Sequence, residues 1–262
     1  MDLVAENGRI DLWCTYISAI ADGPLWTRYD ALLSADERAR QARFRFVKDQ
    51  RRFLVTRALV RTVLSRYAAV RPQDWEFSAG AYGRPAISAP RLSSSSVPAL
   101  EFNISHSADL VMLGVTSDRT LGIDAESVEA READTDGLDR YFAPEERAAL
   151  LSLPPSERRR RFFELWTLKE SYIKARGTGL AIGLDSFRFD LRGERGLTLH
   201  MRPGLGDSPD RWRLWQLVPR ADYVAGVCAA RGEEVPPRMT VREVVPLASE
   251  KVIDITPSRS TG

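Results

Sequence analysis

The sequence predicts an α+β protein built from two similar halves. Three observations carry this expectation. A short helix followed by a long helix occurs twice, strand-like runs follow each pair without a βαβ alternation, and no apolar run approaches the roughly 18 residues of a membrane-spanning helix. The 262 residues are 44% hydrophobic and 28% charged, a globular balance with chain enough for one large domain or two small ones.

The repeat is visible residue by residue. Ser34-Ala-Asp-Glu-Arg-Ala39 matches Ala143-Pro-Glu-Glu-Arg-Ala148, and Arg51-Arg-Phe-Leu54 matches Arg160-Arg-Phe-Phe163, both at an offset of 109 residues. Between 34–61 and 143–170, seven of 28 positions are identical without a gap. The offset implies units of a size usual for small domains. We therefore expect an N-terminal half at 1–118, a C-terminal half at 119–235 and an irregular tail at 236–262. The tail carries Pro236, Pro237, Pro246 and Pro257.

Each element has a local reason. Ser34 followed by Glu37 has capping-box spacing, and Pro144 sits at the first-turn position that proline tolerates. Long helices are expected at about 48–68 and 157–176, and strands at Trp75–Ser78, Ser186–Asp190, 196–201, 211–218 and 222–229. Residues 109–117 and 120–126 flank Ser117-Asp118-Arg119 and suggest a hairpin. The serine run Ser93–Ser96, with Pro90 and Pro98, reads as a loop.

Composition removes several functions. A net charge of +2 gives no bulk attraction to nucleic acid or membrane. Cys14 and Cys228 form no CxxC and read as two small buried residues. With only His106 and His200 as histidines, a bound metal would be held by oxygen, which selects Mg2+ or Mn2+. The acidic N-terminus lacks a secretory layout, so a cytoplasmic protein is expected. No GxxxxGK[ST], GxGxxG or GxSxG motif occurs. Of the 38 basic residues only four are lysine, yet Lys169 and Lys174 share one helix.

Four groups of residues carry candidate chemistry. In Gly122-Ile-Asp-Ala-Glu126, strand alternation puts Asp124 and Glu126 on one face, where a cation or solvent must separate their charges. At about 100° per residue, Glu170 projects from the stripe of Phe163, Trp166 and Ile173. A desolvated carboxylate there calls for an arginine such as Arg61, for Lys174 one turn on, or for a metal shared with Asp124 and Glu126. His106, in Phe102-Asn-Ile-Ser-His-Ser107, reads as a phosphate ligand or as the anchor of a polar turn. Gly83, in Tyr82-Gly-Arg-Pro85, permits close backbone approach to a ligand. Arg51, Arg52, Arg57 and Arg61 form a basic helix, either solvated or facing a site.

In this order, GIDAE, then WTLKESYIK, with YGRP, FNISHS and the RRF…LVR helix upstream, the chain resembles the surfactin-type 4'-phosphopantetheinyl transferases. The resemblance covers roughly residues 30–190. It implies two α/β halves related by a pseudo-twofold axis, with coenzyme A in the cleft between them. It further implies that Asp124, Glu126 and Glu170 hold magnesium, and that Lys174 and His106 contact the coenzyme A phosphates. By the same resemblance Arg52 holds the 3'-phosphate, while Tyr82, Gly83, Arg84, Pro85 and Ser105 form the adenine side. Arg84 stands where a lysine is common. Glu37 replaces a basic residue, leaving Arg40 for that contact. The implied reaction moves the 4'-phosphopantetheine arm of coenzyme A to a serine of an apo acyl or peptidyl carrier protein, with Glu170, Lys174 and Asp124 catalytic, in a monomer. The alternatives are another magnesium-dependent phosphotransferase and a non-catalytic module that docks carrier proteins.

Overall fold

The computed structural model describes residue 3 and residues 6–90, 99–130, 138–232 and 236–262; the loop expected around Ser93–Ser96 lies outside them. The first half runs β1 (Arg9–Tyr16), α1 (Pro24–Asp30), α2 (Ala35–Ala42), α3 (Val47–Leu64), β2 (Glu76–Ala79), β3 (Pro85–Ala89), β4 (Glu101–Ser107) and β5 (Leu110–Thr116). The second runs β6 (Leu121–Ser127), α4 (Leu138–Tyr141), α5 (Pro144–Ser152), α6 (Pro155–Arg176), β7 (Phe187–Asp190), β8 (Thr198–Met201), β9 (Trp212–Leu217) and β10 (Tyr223–Ala230). One strand, three helices and four strands thus occur twice. Pairing repeats as well: β2 with β3 and β7 with β8 are antiparallel ribbons, and the sheet order β1-β5-β4 corresponds to β6-β10-β9.

The helix boundaries follow from their caps. The Ser34 hydroxyl accepts from the Glu37 N–H while the Glu37 carboxylate accepts from the Ser34 N–H. Glu146 accepts in the same way from the N–H of Ala143. Pro155 opens α6, and Gly177, at φ 72°, closes it with its N–H on the Ile173 carbonyl.

Strand alternation builds four layers, with α3 and α6 outside two sheets that meet face to face. Ile10, Leu12 and Cys14 of β1 pack with Ile123 of β6 and Val227 of β10 between the sheets. Trp13 turns the other way, into the core under α3. Val224 and Cys228 turn under α6, against Phe163 and Leu168. Both cysteines are free and buried as expected, and burial pushes the Cys14 thiol up to about 12.

Two glycines set the distance of α6 from its sheet. A Cβ on Gly122 would lie 2.0 Å from the Ser171 carbonyl oxygen, and one on Gly226 would lie 2.4 Å from that of Thr167. Only glycine at these crossings lets the helix backbone come down onto β6 and β10.

Two expectations are corrected. Residues 109–117 and 120–126 do not pair as a hairpin. β5 has both edges filled, by β1 and β4, so β6 crosses to open the second sheet beside β10. The stretch 236–262 is not irregular. It holds β11 (Arg238–Val245), parallel to β1, then β12 (Ser249–Ile253) on β11, and β13 (Arg259–Ser260) on β9. Its prolines flank these strands rather than interrupt them. Buried Asp11 anchors β11: its Oδ1 accepts from Arg242 at 2.6 Å and its Oδ2 from the Tyr67 hydroxyl at 2.7 Å.

Candidate active site

The site lies where the edge strand of each sheet meets the other. β4 and β6 are neighbours without a backbone ladder. Instead, three alternate side chains of β4 accept the N–H groups along the open edge of β6. Asn103 Oδ1 takes that of Ile123 at 2.9 Å, Ser105 Oγ that of Ala125 at 3.1 Å, and Ser107 Oγ that of Ser127 at 3.1 Å. His106 therefore stands on a strand, not in the polar turn its sequence suggested.

These hydroxyls also reach the acids of β6. Ser105 Oγ donates to Asp124 Oδ1 at 2.9 Å and Ser107 Oγ to Glu126 Oε2 at 2.6 Å. Because Gly122 and Gly226 seat α6 against the sheet, Lys174 meets the same carboxylate. Its Nζ donates to Asp124 Oδ1 at 2.7 Å and to the Ile123 carbonyl at 3.0 Å. Asp124 Oδ2 is buried with no hydrogen-bond partner.

Asp124 and Lys174 form one end of a cavity of about 610 Å³ whose other wall is the first half. Arg40, Arg52 and Arg57 line that wall, with Gly83, Pro85, Ser105 and His106 nearby. Four basic side chains, Arg40, Arg52, Arg57 and Lys174, against Asp49 and Asp124 suit this cavity to a polyanion. A second cavity, of about 490 Å³, adjoins it along Gly83, Pro85, Ile104 and Lys174, and is lined further by Tyr82, Arg84 and Glu170. Glu126 is buried behind Ser107 and borders neither cavity. Among the described residues, no three His, Cys, Asp or Glu side chains gather closely enough to hold a metal ion. The expected convergence of Asp124, Glu126 and Glu170 is not met: Asp124 pairs with Lys174, Glu126 lines neither cavity and Glu170 lines the adjoining one.

The remaining residues have definite surroundings. Arg52 is steadied by Asp49 at 2.7 Å. Arg84 donates to the carbonyls of Lys174 and Leu121 at 3.0 and 3.2 Å, clamping α6 and β6 from the first half. Tyr82, at φ 59° and 70% exposed, lays its ring on the backbone of Gly179. Burial chiefly, then the Arg52 guanidinium, holds the His106 imidazole below its ordinary pKa; Lys174 acts in the same sense and Asp124 opposes it. Arg61 is not the partner of Glu170: it is buried, with Nη2 on Glu37 at 2.6 Å and Nη1 on the carbonyls of Pro72 and Trp75. Of the basic helix, Arg51 alone keeps the solvated reading, paired with exposed Asp22 at 3.5 Å.

Sequence reasoning missed two residues. Lys169 precedes Glu170 in sequence but is fully buried, 2.8 Å from Glu146 and bonded to the carbonyls of Leu184 and Phe187. Ser107 was hidden in the FNISHS string; the alternation Asn103-x-Ser105-x-Ser107 was its signal.

Comparison with known proteins gives two family-model matches. A family model described as "4'-phosphopantetheinyl transferase, N-terminal" matches residues 23–118, and one described as "4'-phosphopantetheinyl transferase superfamily" matches residues 120–228. The 4'-phosphopantetheinyl transferase HetI of Nostoc sp. is 36% identical over 201 residues, covering 76% of this chain and 79% of the relative. The 4'-phosphopantetheinyl transferase Sfp of Bacillus subtilis is 32% identical over 203 residues, covering 78% and 84%. The 4'-phosphopantetheinyl transferase ffp, also of Bacillus subtilis, is 32% identical over 204 residues, covering 78% and 85%. Identity at this level across three quarters of the chain, with both halves matched in order, makes this chain a member of the 4'-phosphopantetheinyl transferase family.

Proposed function

We propose that this chain, a transferase enzyme, moves the 4'-phosphopantetheine arm of coenzyme A to a serine hydroxyl of an apo acyl or peptidyl carrier protein, releasing 3',5'-ADP. The observation that carries this reading is the Lys174–Asp124 contact of 2.7 Å at the end of a cation-lined cavity shared by both halves. Coenzyme A is a polyanion with phosphates at two places, and the cavity offers cations at both ends.

In this reading the N-terminal half (1–118) holds the 3'-phosphate with Arg52, aided by Arg40, and the adenine with Tyr82, Gly83, Arg84, Pro85 and Ser105. The C-terminal half (119–235) supplies Asp124, Glu126 and Glu170. His106 and Lys174 hold the pyrophosphate between them. The acceptor serine oxygen forms its bond to the β-phosphorus as the bond from that phosphorus to the 3',5'-ADP oxygen breaks. Glu170 accepts the hydroxyl proton, and Lys174 balances charge on the phosphate oxygens. Positioning and electrostatics supply most of the acceleration, as in phosphoryl transfer generally.

The resemblance assigns a divalent cation to Asp124, Glu126 and Glu170, although among the described residues these three do not gather closely enough to hold one. The buried Asp124 Oδ2 has no protein donor, and an all-oxygen set suits Mg2+ or Mn2+. When bound, the ion would neutralise charge on the pyrophosphate and on the leaving 3',5'-ADP. Two halves on one chain complete the cleft, so a monomer is sufficient. Among the described residues no helix is long and apolar enough to cross a membrane, in keeping with work in the cytoplasm.

Mass spectrometry tests the reading. Incubation with coenzyme A, Mg2+ and a set of apo carrier proteins should add one phosphopantetheine to a carrier serine and yield 3',5'-ADP. A different nucleotide product would move the enzyme to another class of phosphotransferase. Carrier binding with no mass gain would leave only a docking module.

A further inference from the structure

We infer that Arg84 is a positioning residue for the transfer: from the first half it caps the C-terminal end of α6 and so holds Lys174 in place at Asp124. An α-helix leaves its last four carbonyls without partners inside the helix, and a cation there also meets the negative end of the helix dipole. For α6, which ends at Arg176, the Gly177 N–H takes the carbonyl of Ile173. The carbonyl of Lys174 is taken by Arg84 Nη1 at 3.0 Å, from 90 residues away in sequence. Nη2 of the same guanidinium donates to the Leu121 carbonyl at 3.2 Å and to Glu101 Oε2 at 3.1 Å. One side chain thus fixes the end of α6 and the start of β6 to each other, and these are the elements that carry Lys174 and Asp124.

The loop around Arg84 separates this task from contact with the ligand. It is closed by the Gly80 N–H on the Arg84 carbonyl at 2.7 Å and the Gly83 N–H on the Gly80 carbonyl at 3.1 Å. Gly83 and Pro85 border the larger, cation-lined cavity; Arg84 between them borders, of the two cavities, only the adjoining one. Its backbone therefore keeps a place on the adenine side while its side chain turns to α6. Tyr82 turns the same way, with its ring on Gly179 just beyond the helix. A guanidinium suits the position because it offers separate nitrogens to the two carbonyls, whereas a lysine would bring a single ammonium. Lys174 reaches Asp124 from the very turn that Arg84 holds, so displacement of that turn changes the 2.7 Å contact.

This inference rests on the reading of Lys174 as the group that balances charge on the phosphates. The test compares the full-length wild type with Arg84→Met, Arg84→Gln and Arg84→Lys. Amide hydrogen exchange reads the last turn of α6, and steady-state assays with an apo carrier protein read kcat and KM for coenzyme A. Arg84→Met should speed exchange in that turn about tenfold, the order of one charge-assisted hydrogen bond, and leave the amides of β9 and β10 protected. Its kcat should fall about 10–100-fold, as displacement of a catalytic group costs, with KM for coenzyme A little changed. Arg84→Lys should recover part of both, so that across the three variants kcat falls in step with the lost protection. Unchanged exchange in the last turn, or faster exchange through the whole chain, would overturn the inference. So would a raised KM at constant kcat, which marks a direct contact with coenzyme A. If Arg84→Met does not fold, Arg84→Gln and Arg84→Lys decide by the same measures. A wild type that transfers nothing to any apo carrier overturns the function reading instead, and the exchange rates still decide the cap.

Discussion

Lys169 Nζ stands 2.8 Å from Glu146 Oε2, and both side chains are sealed from solvent. The same glutamate caps α5 through the Ala143 N–H and accepts the N–H of Phe189, so α5, α6 and β7 meet at one carboxylate. In the first half Glu37 has the corresponding place, capping α2 and bonding Arg61 of α3. The repeat therefore preserves a glutamate that ties a short helix to a cation on the following long one.

That ion pair gives the first prediction. Burial drives Lys169 down and Glu146 up in pKa, and each opposes the other's shift. Lys169→Met leaves a buried carboxylate unpaired, at a cost of about 3–5 kcal/mol. Lys169→Met with Glu146→Gln should cost less than Lys169→Met alone. Urea unfolding measures both.

Removing Asp124 should abolish transfer without unfolding the chain. Asp124→Asn keeps the side-chain volume but takes away the charge facing Lys174. A loss in kcat of about 100-fold or more is expected, above what an indirect partner usually contributes. Activity near that of the wild type would remove Asp124 from the chemistry.

Crowding beneath α6 should damage both stability and site. The methyl of Gly122→Ala would overlap the Ser171 carbonyl, which is backbone and cannot rotate away. Overpacking of this kind costs about 1–3 kcal/mol. It also moves Lys174 from Asp124, so kcat should fall further than the melting temperature suggests. Gly226→Ala should behave alike.

Coenzyme A binding should depend on pH through His106. Its pKa is depressed in the free protein, so the ring is neutral at pH 7, and a bound phosphate draws it upward. Binding then takes up a proton, and affinity should fall as pH rises above the depressed free-state pKa. Arg52 and Lys174 oppose protonation and Asp124 favours it, so the phosphate must outweigh two cations. Calorimetry in buffers of different ionisation enthalpy measures the uptake, and His106→Gln should remove it. The same depression costs the unliganded protein stability as pH falls through the ordinary imidazole range, because the unfolded chain then binds the proton first.

Much of this architecture was legible locally. Caps at Ser34 and Pro144, the Phe163–Ile173 stripe and the alternation of Asp124 with Glu126 are short-range signals, and each has its expected place. What failed was pairing across the chain. Leu110–Thr116 and Leu121–Ser127 look like a hairpin until β1 and β4, from far away in sequence, take both edges of β5. Lys169, adjacent to Glu170 in sequence, is sealed against Glu146 instead, because neighbours on a helix face different layers. Ser107 needed the second sheet before its proton had a destination.

The parallel pairing of β1 with β11 also bears on biogenesis. Arg9 lies opposite Arg238, so a nascent polypeptide cannot finish its first sheet until residues 229 positions beyond Arg9 have left the ribosome. Such distant closure slows folding and leaves an open strand edge in the interim. The N-terminal lobe, although it is synthesised first, waits for β11 until all of β6 to β10 has emerged.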